Sequence, residues 1–214
     1  MSARSLEPVV YLHGFASGPG SKKARFFRER FEARGTPFEV PDLARGDFEH
    51  LTLSGQLEVV KQAVGDRRVR LMGSSMGGYL AALFAASHPA QVDRAVLMAP
   101  AFDFASRWRL RLGEPVFAEW RRSGVLPVFH YGEGRPANIG FELYSDALAH
   151  PPFPAVAAPV LIFHGTADDV VPAELSGRFA LLHPHAQLRL LHSDHELLDV
   201  TETIWEETWQ FLQA

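Results

Sequence analysis

Two serines lie side by side between glycines in the segment LMGSSMGGYL, residues 71–80. The pattern Gly-x-Ser-x-Gly fits Ser75, which Gly73 and Gly77 flank, whereas Ser74 would need glycines at two positions that hold methionine. A serine in this pattern lies on a sharp turn between a strand and a helix, where small neighbours let the chain pass closely. Ser75 is therefore the candidate nucleophile, and we expect Ser74 to pack or to hydrogen-bond to the loop.

A serine hydroxyl becomes a good nucleophile only when a base takes its proton, and the base needs a carboxylate to hold its tautomer. On sheets of parallel strands the chain order of these groups is Ser, then Asp, then His. Two later segments, HGTADDVVP (164–172) and HSDHELLD (192–199), supply neighbouring aspartates and histidines in that order. From the residues alone the acid is Asp168 or Asp169, and several histidines compete for the base.

The elements that must position these groups alternate between strand and helix. This alternation, with nearly continuous apolar strands, predicts a parallel sheet covered by helices on both faces. The strand at 38–43 contains Pro41, so we expect it to be short or near an edge. The predicted strands cover 9–14, 38–43, 69–74, 94–100, 159–165 and 187–192, and the predicted helices cover 21–35, 50–64, 76–89, 172–182 and 200–212.

Residues whose side chains could take part in catalysis follow several of these strands at their carboxyl ends, where ligands bind in such sheets. His13-Gly14-Phe15 follows the first strand and Ser75 follows the third. The aspartates come after the fifth strand, and the segment SDHELL comes after the sixth. Since the carboxyl ends of parallel strands meet at one edge, we expect these groups to converge there.

Residues 101–158 interrupt the alternation with many aromatic side chains and no clean strand. One interpretation is a set of helices and loops with a local core; the other is a lid over the edge that carries Ser75. The aromatic residues could then form part of an apolar acyl pocket. The arginines of this insert could meet an anionic substrate, but acidic residues accompany them, so we favour a solvated face.

Composition narrows the classes of function. The 214 residues are 47% apolar and 21% charged, which suits a single globular domain, and the net charge of −4 gives no reason to expect nucleic acid as a partner. There is no cysteine, which removes disulfides, thiolate metal sites and a cysteine nucleophile. No secretory signal or membrane span is evident, so we expect a cytoplasmic protein, monomeric or homodimeric.

Four motifs, YLHGFASGPGSKKA, GSSMGG, HGTADDVVP and SDHELL, resemble the α/β-hydrolase superfamily and, within it, the small bacterial YqiA-like esterases. The last two are also similar to the mitochondrial acyl-protein thioesterase and acyl-glucuronide esterase. The resemblance covers 8–100 and 159–213 and lapses in the insert. It implies a compact α/β-hydrolase fold that lacks the first two strands of the full-size fold. The single domain, 1–214, would have about six parallel strands and a lid insertion, 101–158, after the fourth.

The resemblance also implies roles for individual residues. The nucleophile falls on Ser75, the acid on Asp168 and the base on His195. The backbone N–H groups of Phe15 and Met76 would bind the oxyanion, each contributing on the order of 3 kcal/mol. Beside them we expect His13 to order its loop. From their own positions in the chain, we expect Asp169 to be solvated or to cap a helix, His183 and His185 to be exposed in the turn around Pro184, and His192, at the end of its strand, to be buried and hydrogen-bonded.

The function predicted from these residues is cleavage of carboxylic esters by a serine hydrolase through an acyl-enzyme. No cofactor and no metal are expected, and the partner is a small-molecule ester or thioester. Acyl-thioesters and lactones remain alternative substrates, because the same three groups serve all of them. A non-catalytic binding protein on a hydrolase scaffold and a metal-dependent hydrolase built on the histidines are the alternatives from other classes.

Overall fold

The computed structural model describes residues 7–214. Its main sheet has six parallel strands, the number that the sequence predicts. The predicted strand before Pro41 is only two residues long and lies at one edge. In chain order the strands are β1 (Val9–Leu12), β2 (Phe38–Glu39), β3 (Val69–Ser74), β4 (Val92–Met98), β5 (Val125–His130), β6 (Arg135–Gly140), β7 (Val160–Gly165) and β8 (Ala186–Leu191). The strands of the main sheet lie in the order β2-β1-β3-β4-β7-β8.

The predicted helices are present, with ends that follow local capping. The Ser21 hydroxyl accepts a hydrogen bond from the backbone N–H of Ala24 at 3.3 Å and so caps the first helix. The second helix begins after Thr52, whose hydroxyl accepts from the Gly55 N–H at 3.0 Å. The helices are α1 (Lys22–Glu32), α2 (Leu53–Val64), α3 (Met76–Ser87), α4 (Phe104–Ser123), α5 (Glu142–Ala147), α6 (Ala173–Leu182) and α7 (Thr201–Gln213).

The sheet separates two apolar cores, because successive side chains of a strand point to opposite faces. In β1, Val10 and Leu12 face the core shared with α2 and α3, whereas Val9 and Tyr11 face the core shared with α1 and α7. Both faces are therefore covered, as expected for parallel strands. Within residues 7–214, no helix combines the length and the apolar character needed to cross a membrane.

The prediction that residues 101–158 contain no strand is wrong. β5 and β6 form an antiparallel hairpin between α4 and α5. Pro127 and Pro136 lie within these strands, and proline is a residue that strand patterns disfavour. Both are tolerated because every strand of a two-stranded sheet has a free edge, where a missing N–H costs no ladder bond. Trp120 joins the hairpin to α4 by donating from its indole N–H to the Ile139 carbonyl at 3.0 Å.

The beginning of α3 packs directly against the end of β1. A Cβ added at Gly77 would lie 2.0 Å from the carbonyl oxygen of Leu12 and 2.5 Å from that of His13. Such contacts are with backbone, which cannot rotate away. Glycine at this position therefore sets how close the helix that follows Ser75 comes to the loop that follows β1.

Replacing Gly77 by alanine is expected to lower the free energy of unfolding by about 3 kcal/mol or more, since the helix or the strand must move. Urea unfolding at neutral pH measures this loss. The matched control is Gly177→Ala in α6, where an added Cβ meets nothing within 4 Å. That variant should gain up to about 1 kcal/mol from helix propensity. Equal stability of Gly77→Ala and wild type would contradict the close packing.

Candidate active site

Ser75 occupies a strained turn between β3 and α3. Its backbone has φ 55° and ψ −119°, a region that residues with a Cβ rarely adopt. The neighbouring strand holds the turn in place, because the Ser75 N–H donates to the Met98 carbonyl at 2.9 Å. The Ser75 carbonyl in turn accepts from the Ala101 N–H at 3.0 Å. The side chain is half-buried and makes no capping bond to its own helix, so the hydroxyl is available to other partners.

The structure brings Ser75, His195 and Asp168 together from the ends of β3, β8 and β7. His195 Nε2 lies 3.0 Å from the Ser75 hydroxyl oxygen, and His195 Nδ1 lies 2.7 Å from Asp168 Oδ2. A proton on Nδ1 directed at the carboxylate leaves Nε2 free to accept the serine proton. The arrangement is therefore capable of general-base activation of a hydroxyl.

Asp168 is buried and surrounded by donors. Its Oδ1 accepts from the N–H groups of Val170 at 2.8 Å and Val171 at 2.7 Å, and its Oδ2 lies 3.1 Å from His164 Nε2. Burial raises the pKa of this carboxyl, but the hydrogen bonds from His164, His195 and Val171 outweigh it and hold the pKa well below its usual range. Asp168 is therefore ionised at neutral pH.

His164 is a part of this site that the sequence analysis missed. The ring is fully buried; its Nδ1 lies 2.7 Å from the Ser176 hydroxyl, and its Nε2 also lies 2.8 Å from the Val171 carbonyl. It therefore contacts the same carboxylate oxygen, Asp168 Oδ2, that His195 contacts. The available signal was the His-Gly pair at 164–165, which repeats the pair at 13–14 at the end of another strand.

The competing residues lie elsewhere. Asp169 is exposed, as is His185, in agreement with their predicted surroundings. Two other predictions are wrong: His192 is exposed, and His183 is buried, where its Nε2 accepts from the Val156 N–H at 3.2 Å and its ring stacks on Phe179. In the part of the chain that the structure describes, no three His, Cys, Asp or Glu side chains are arranged to hold a metal ion.

The two residues predicted to supply oxyanion donors, Phe15 and Met76, lie on the loop after β1 and at the start of α3. Met76 is the first residue of α3, so its N–H has no acceptor within the helix. Phe15 belongs to the loop after β1, which passes so close that a Cβ on Gly14 would lie 3.4 Å from Ser75 Cβ. His13 orders this loop: its Nε2 accepts from the Leu43 N–H at 3.3 Å, and burial lowers its pKa, which favours the neutral ring that this bond needs.

The insert of residues 101–158 contacts both sides of the site. The Arg107 guanidinium donates to the Val170 carbonyl, directly beside the donors to Asp168. The Trp108 ring meets the Phe15 ring edge-on at 5.2 Å between centroids, and Phe48 lies at the same distance on Phe15. An apolar wall formed by these three aromatic rings therefore adjoins the loop that passes Ser75.

The order of the sheet and the position of the serine on the turn after β3 define an α/β-hydrolase fold. The chain belongs to the family described as "Uncharacterised protein family (UPF0227)", whose model matches residues 8–212. The resemblance to YqiA-like proteins that the motifs predict is thereby confirmed.

Relatives of known name share parts of the sequence. The mitochondrial palmitoyl-protein thioesterase ABHD10 of Bos taurus is 27% identical over 185 residues, which are 80% of this chain and 60% of that protein. A 2-hydroxy-6-oxononadienedioate/2-hydroxy-6-oxononatrienedioate hydrolase of Paraburkholderia phymatum is 34% identical over 108 residues, 43% of this chain and 35% of the relative. The matches thus span 60% or less of the length of these curated relatives.

Solved structures agree on the fold. The α/β-hydrolase domain-containing protein 10 from mouse superposes with a TM-score of 0.82 at 22% identity, covering 96% of this chain and 89% of that one. Est1E from Butyrivibrio proteoclasticus gives a TM-score of 0.74 at 20% identity, covering 99% and 91% of the two chains. At these identities the likeness establishes the architecture.

Proposed function

We propose that the protein is a serine hydrolase that cleaves carboxylic esters through an acyl-enzyme, with Ser75, His195 and Asp168 as its catalytic triad. The observation that carries the proposal is the position of the His195 ring, 3.0 Å from the Ser75 hydroxyl and 2.7 Å from the ionised Asp168. Each distance lies within the hydrogen-bonding range that proton transfer requires. The small-molecule substrate would bind at the edge of the sheet where these residues meet.

The reaction follows from this geometry in two halves. Ser75 Oγ attacks the acyl carbonyl while His195 Nε2 takes its proton, and Asp168 stabilises the resulting imidazolium. His195 then gives the proton to the leaving alcohol, and the acyl group remains on Ser75. Water attacks this acyl-enzyme, loses its proton to the same nitrogen, and the proton returns to Ser75 as the acid leaves.

The developing oxyanion needs donors on the side of the carbonyl away from His195. The N–H groups of Phe15 and Met76 are proposed for this role, each contributing on the order of 3 kcal/mol to the transition state. The unpartnered position of Met76 in the first turn of α3 and the close passage of the Phe15 loop beside Ser75 support the assignment.

Thioester cleavage is the second candidate. The same steps apply with a thiolate as leaving group, and the Bos taurus relative that matches 80% of this chain carries the name palmitoyl-protein thioesterase. The wall of Phe15, Phe48 and Trp108 favours an apolar acyl group in either case. We therefore propose that the insert of residues 101–158 acts as a lid whose inner side determines acyl length.

Hydrolysis of p-nitrophenyl esters from acetate to palmitate, beside matched acyl-thioesters, tests both candidates. We expect activity with an optimum that reports the depth of the acyl pocket, and Trp108→Ala should move this optimum to longer chains because it removes part of the wall. Tyr131→Ala, an aromatic residue of the same insert that is 75% exposed, is the matched control and should keep the wild-type optimum. If no substrate is turned over and a fluorophosphonate labels no residue, the result would favour the alternative of a non-catalytic binding protein on a hydrolase scaffold.

A further inference from the structure

Lys23 is a half-buried cation that the mechanism above does not use. It is the second residue of α1, and its ammonium donates a hydrogen bond of 2.6 Å to the backbone carbonyl of Glu196. Glu196 directly follows His195. The bond therefore connects α1 with the loop that carries the candidate base, across 173 positions of the sequence.

The loop after β8 also has bonds of its own. Asp194 Oδ1 accepts from the N–H groups of Glu196 at 2.8 Å and Leu197 at 3.2 Å, and Leu197 adopts a left-handed backbone with φ 55°. These bonds hold the shape of the turn itself. Lys23 differs from them because it fixes the turn relative to a separate helix, and hence relative to the rest of the site.

The burial of Lys23 is unfavourable for a charged lysine. Within residues 7–214, no carboxylate oxygen lies within 4.0 Å of its ammonium. Burial lowers its pKa to about 8, although the charges of Glu196, Asp194 and Asp168 act on it in the opposite direction. Because the free-energy cost of burying this ammonium exceeds the stabilisation from the neighbouring carboxylates, its charge does not add to stability. Groups whose pKa is perturbed in this way are concentrated at functional sites.

We propose that Lys23 is a positioning residue of the reaction: it holds the Glu196 carbonyl so that His195 spans Ser75 and Asp168. The inference rests on the proposed function and adds a residue to it. The charged groups that act on Lys23 are Asp194 and Glu196 on the His195 loop and Asp168 after β7.

The effect of Lys23 on stability has a definite sign. Its pKa of about 8 in the folded chain lies below the ordinary value of 10.5, so between these values the unfolded chain binds more protons. Lys23 therefore makes the free energy of unfolding rise as the pH increases from about 8 to 10.5. Below about pH 8, where its ammonium is charged in the folded chain, Lys23 lowers the free energy of unfolding. Lys23→Met should keep wild-type stability at pH 7, or exceed it, while it slows the reaction.

The kinetic test compares three variants on a p-nitrophenyl ester. Lys23→Met should lower kcat about tenfold at pH 7 with little change in KM, because the His195 loop loses its bond to α1 and the base is less precisely placed. Lys23→Arg retains a cationic donor and should stay within about threefold of wild type. Lys22→Met, an exposed neighbour on the same helix, is the control and should match wild type in kcat and KM.

A second readout does not depend on turnover. Amide hydrogen exchange over residues 194–197 should be faster in Lys23→Met than in wild type, because the loop loses its bond to α1, and thermal unfolding verifies that the chain is folded. Unchanged exchange in folded Lys23→Met, or a wild-type kcat, would overturn the role of Lys23. If wild type hydrolyses no ester or thioester, the proposed function fails instead, and the exchange still decides whether Lys23 holds the loop.

Discussion

Ser75→Ala is expected to abolish ester hydrolysis, with kcat falling by about 10⁶-fold. Without the hydroxyl no acyl-enzyme can form, and the proton acceptor at His195 Nε2, 3.0 Å away, has no partner. Any residual rate would come from substrate binding and the oxyanion donors alone. Initial rates on the best p-nitrophenyl ester, together with mass spectrometry after fluorophosphonate treatment, measure the loss of turnover and of covalent labelling.

The adjacent serine provides a matched control for this substitution. Ser74 is buried at the end of β3, next to the Tyr11 hydroxyl. Ser74→Ala should therefore keep kcat within about threefold of wild type and cost on the order of 1 kcal/mol of stability. Loss of labelling in Ser74→Ala with retention in Ser75→Ala would reverse the assignment of the nucleophile.

Asp168→Asn is expected to lower kcat by about 10⁴-fold with little change in overall structure. The amide keeps an oxygen for the Val170 and Val171 N–H groups, but it can present an N–H to His195 Nδ1. The imidazole then carries its proton on Nε2, directed at Ser75, and cannot accept another. Steady-state kinetics at pH 7 and above measure the loss, and Asp169→Asn, an exposed neighbour, should remain close to wild type.

Asp168 also predicts how stability responds to acid. Its pKa is depressed in the folded chain, so its stabilising contribution is complete above the unfolded value of about 4 and disappears as the pH falls through the folded value. Wild type should lose stability in this range, whereas Asp168→Asn should start lower at pH 7 and show a flatter acid limb. Parallel acid limbs in urea unfolding would show that the carboxylate is not the cause.

The sequence predicts best what depends on local patterns. Apolar runs and caps such as Ser21 determine the strands and helices, and the Gly-x-Ser-x-Gly register singles out Ser75 without any tertiary information. The hairpin at 125–140 was missed because its prolines argue against strands unless both strands are known to have a free edge. The exposure of His192 and the burial of His183 likewise depend on which element packs against each ring. The local sequence pattern does not contain this information about tertiary packing.

His164 and Lys23 illustrate a second kind of limit. Both lie within motifs that the sequence analysis singled out, but their roles become evident only from distances of 3.1 Å between His164 Nε2 and Asp168 Oδ2 and 2.6 Å between the Lys23 ammonium and the Glu196 carbonyl. The Lys23 contact joins two segments that are far apart in the chain, and the His164 contact joins two residues that a turn brings together. A residue that holds a catalytic residue in position is therefore found from coordinates, whereas a residue that performs the chemistry can be found from its motif.

The two contacts of the insert with the site have a consequence for protein engineering. Because Arg107 bonds to the Val170 carbonyl and Trp108 packs on Phe15, the insert is not an independent module that can be exchanged between relatives at will. A chimera that replaces residues 101–158 would lose the contact with the segment that holds Asp168 and the contact with the loop after β1 together. Grafts intended to change acyl preference should keep an arginine and an aromatic residue at these two positions, with diversity introduced from 109 onward.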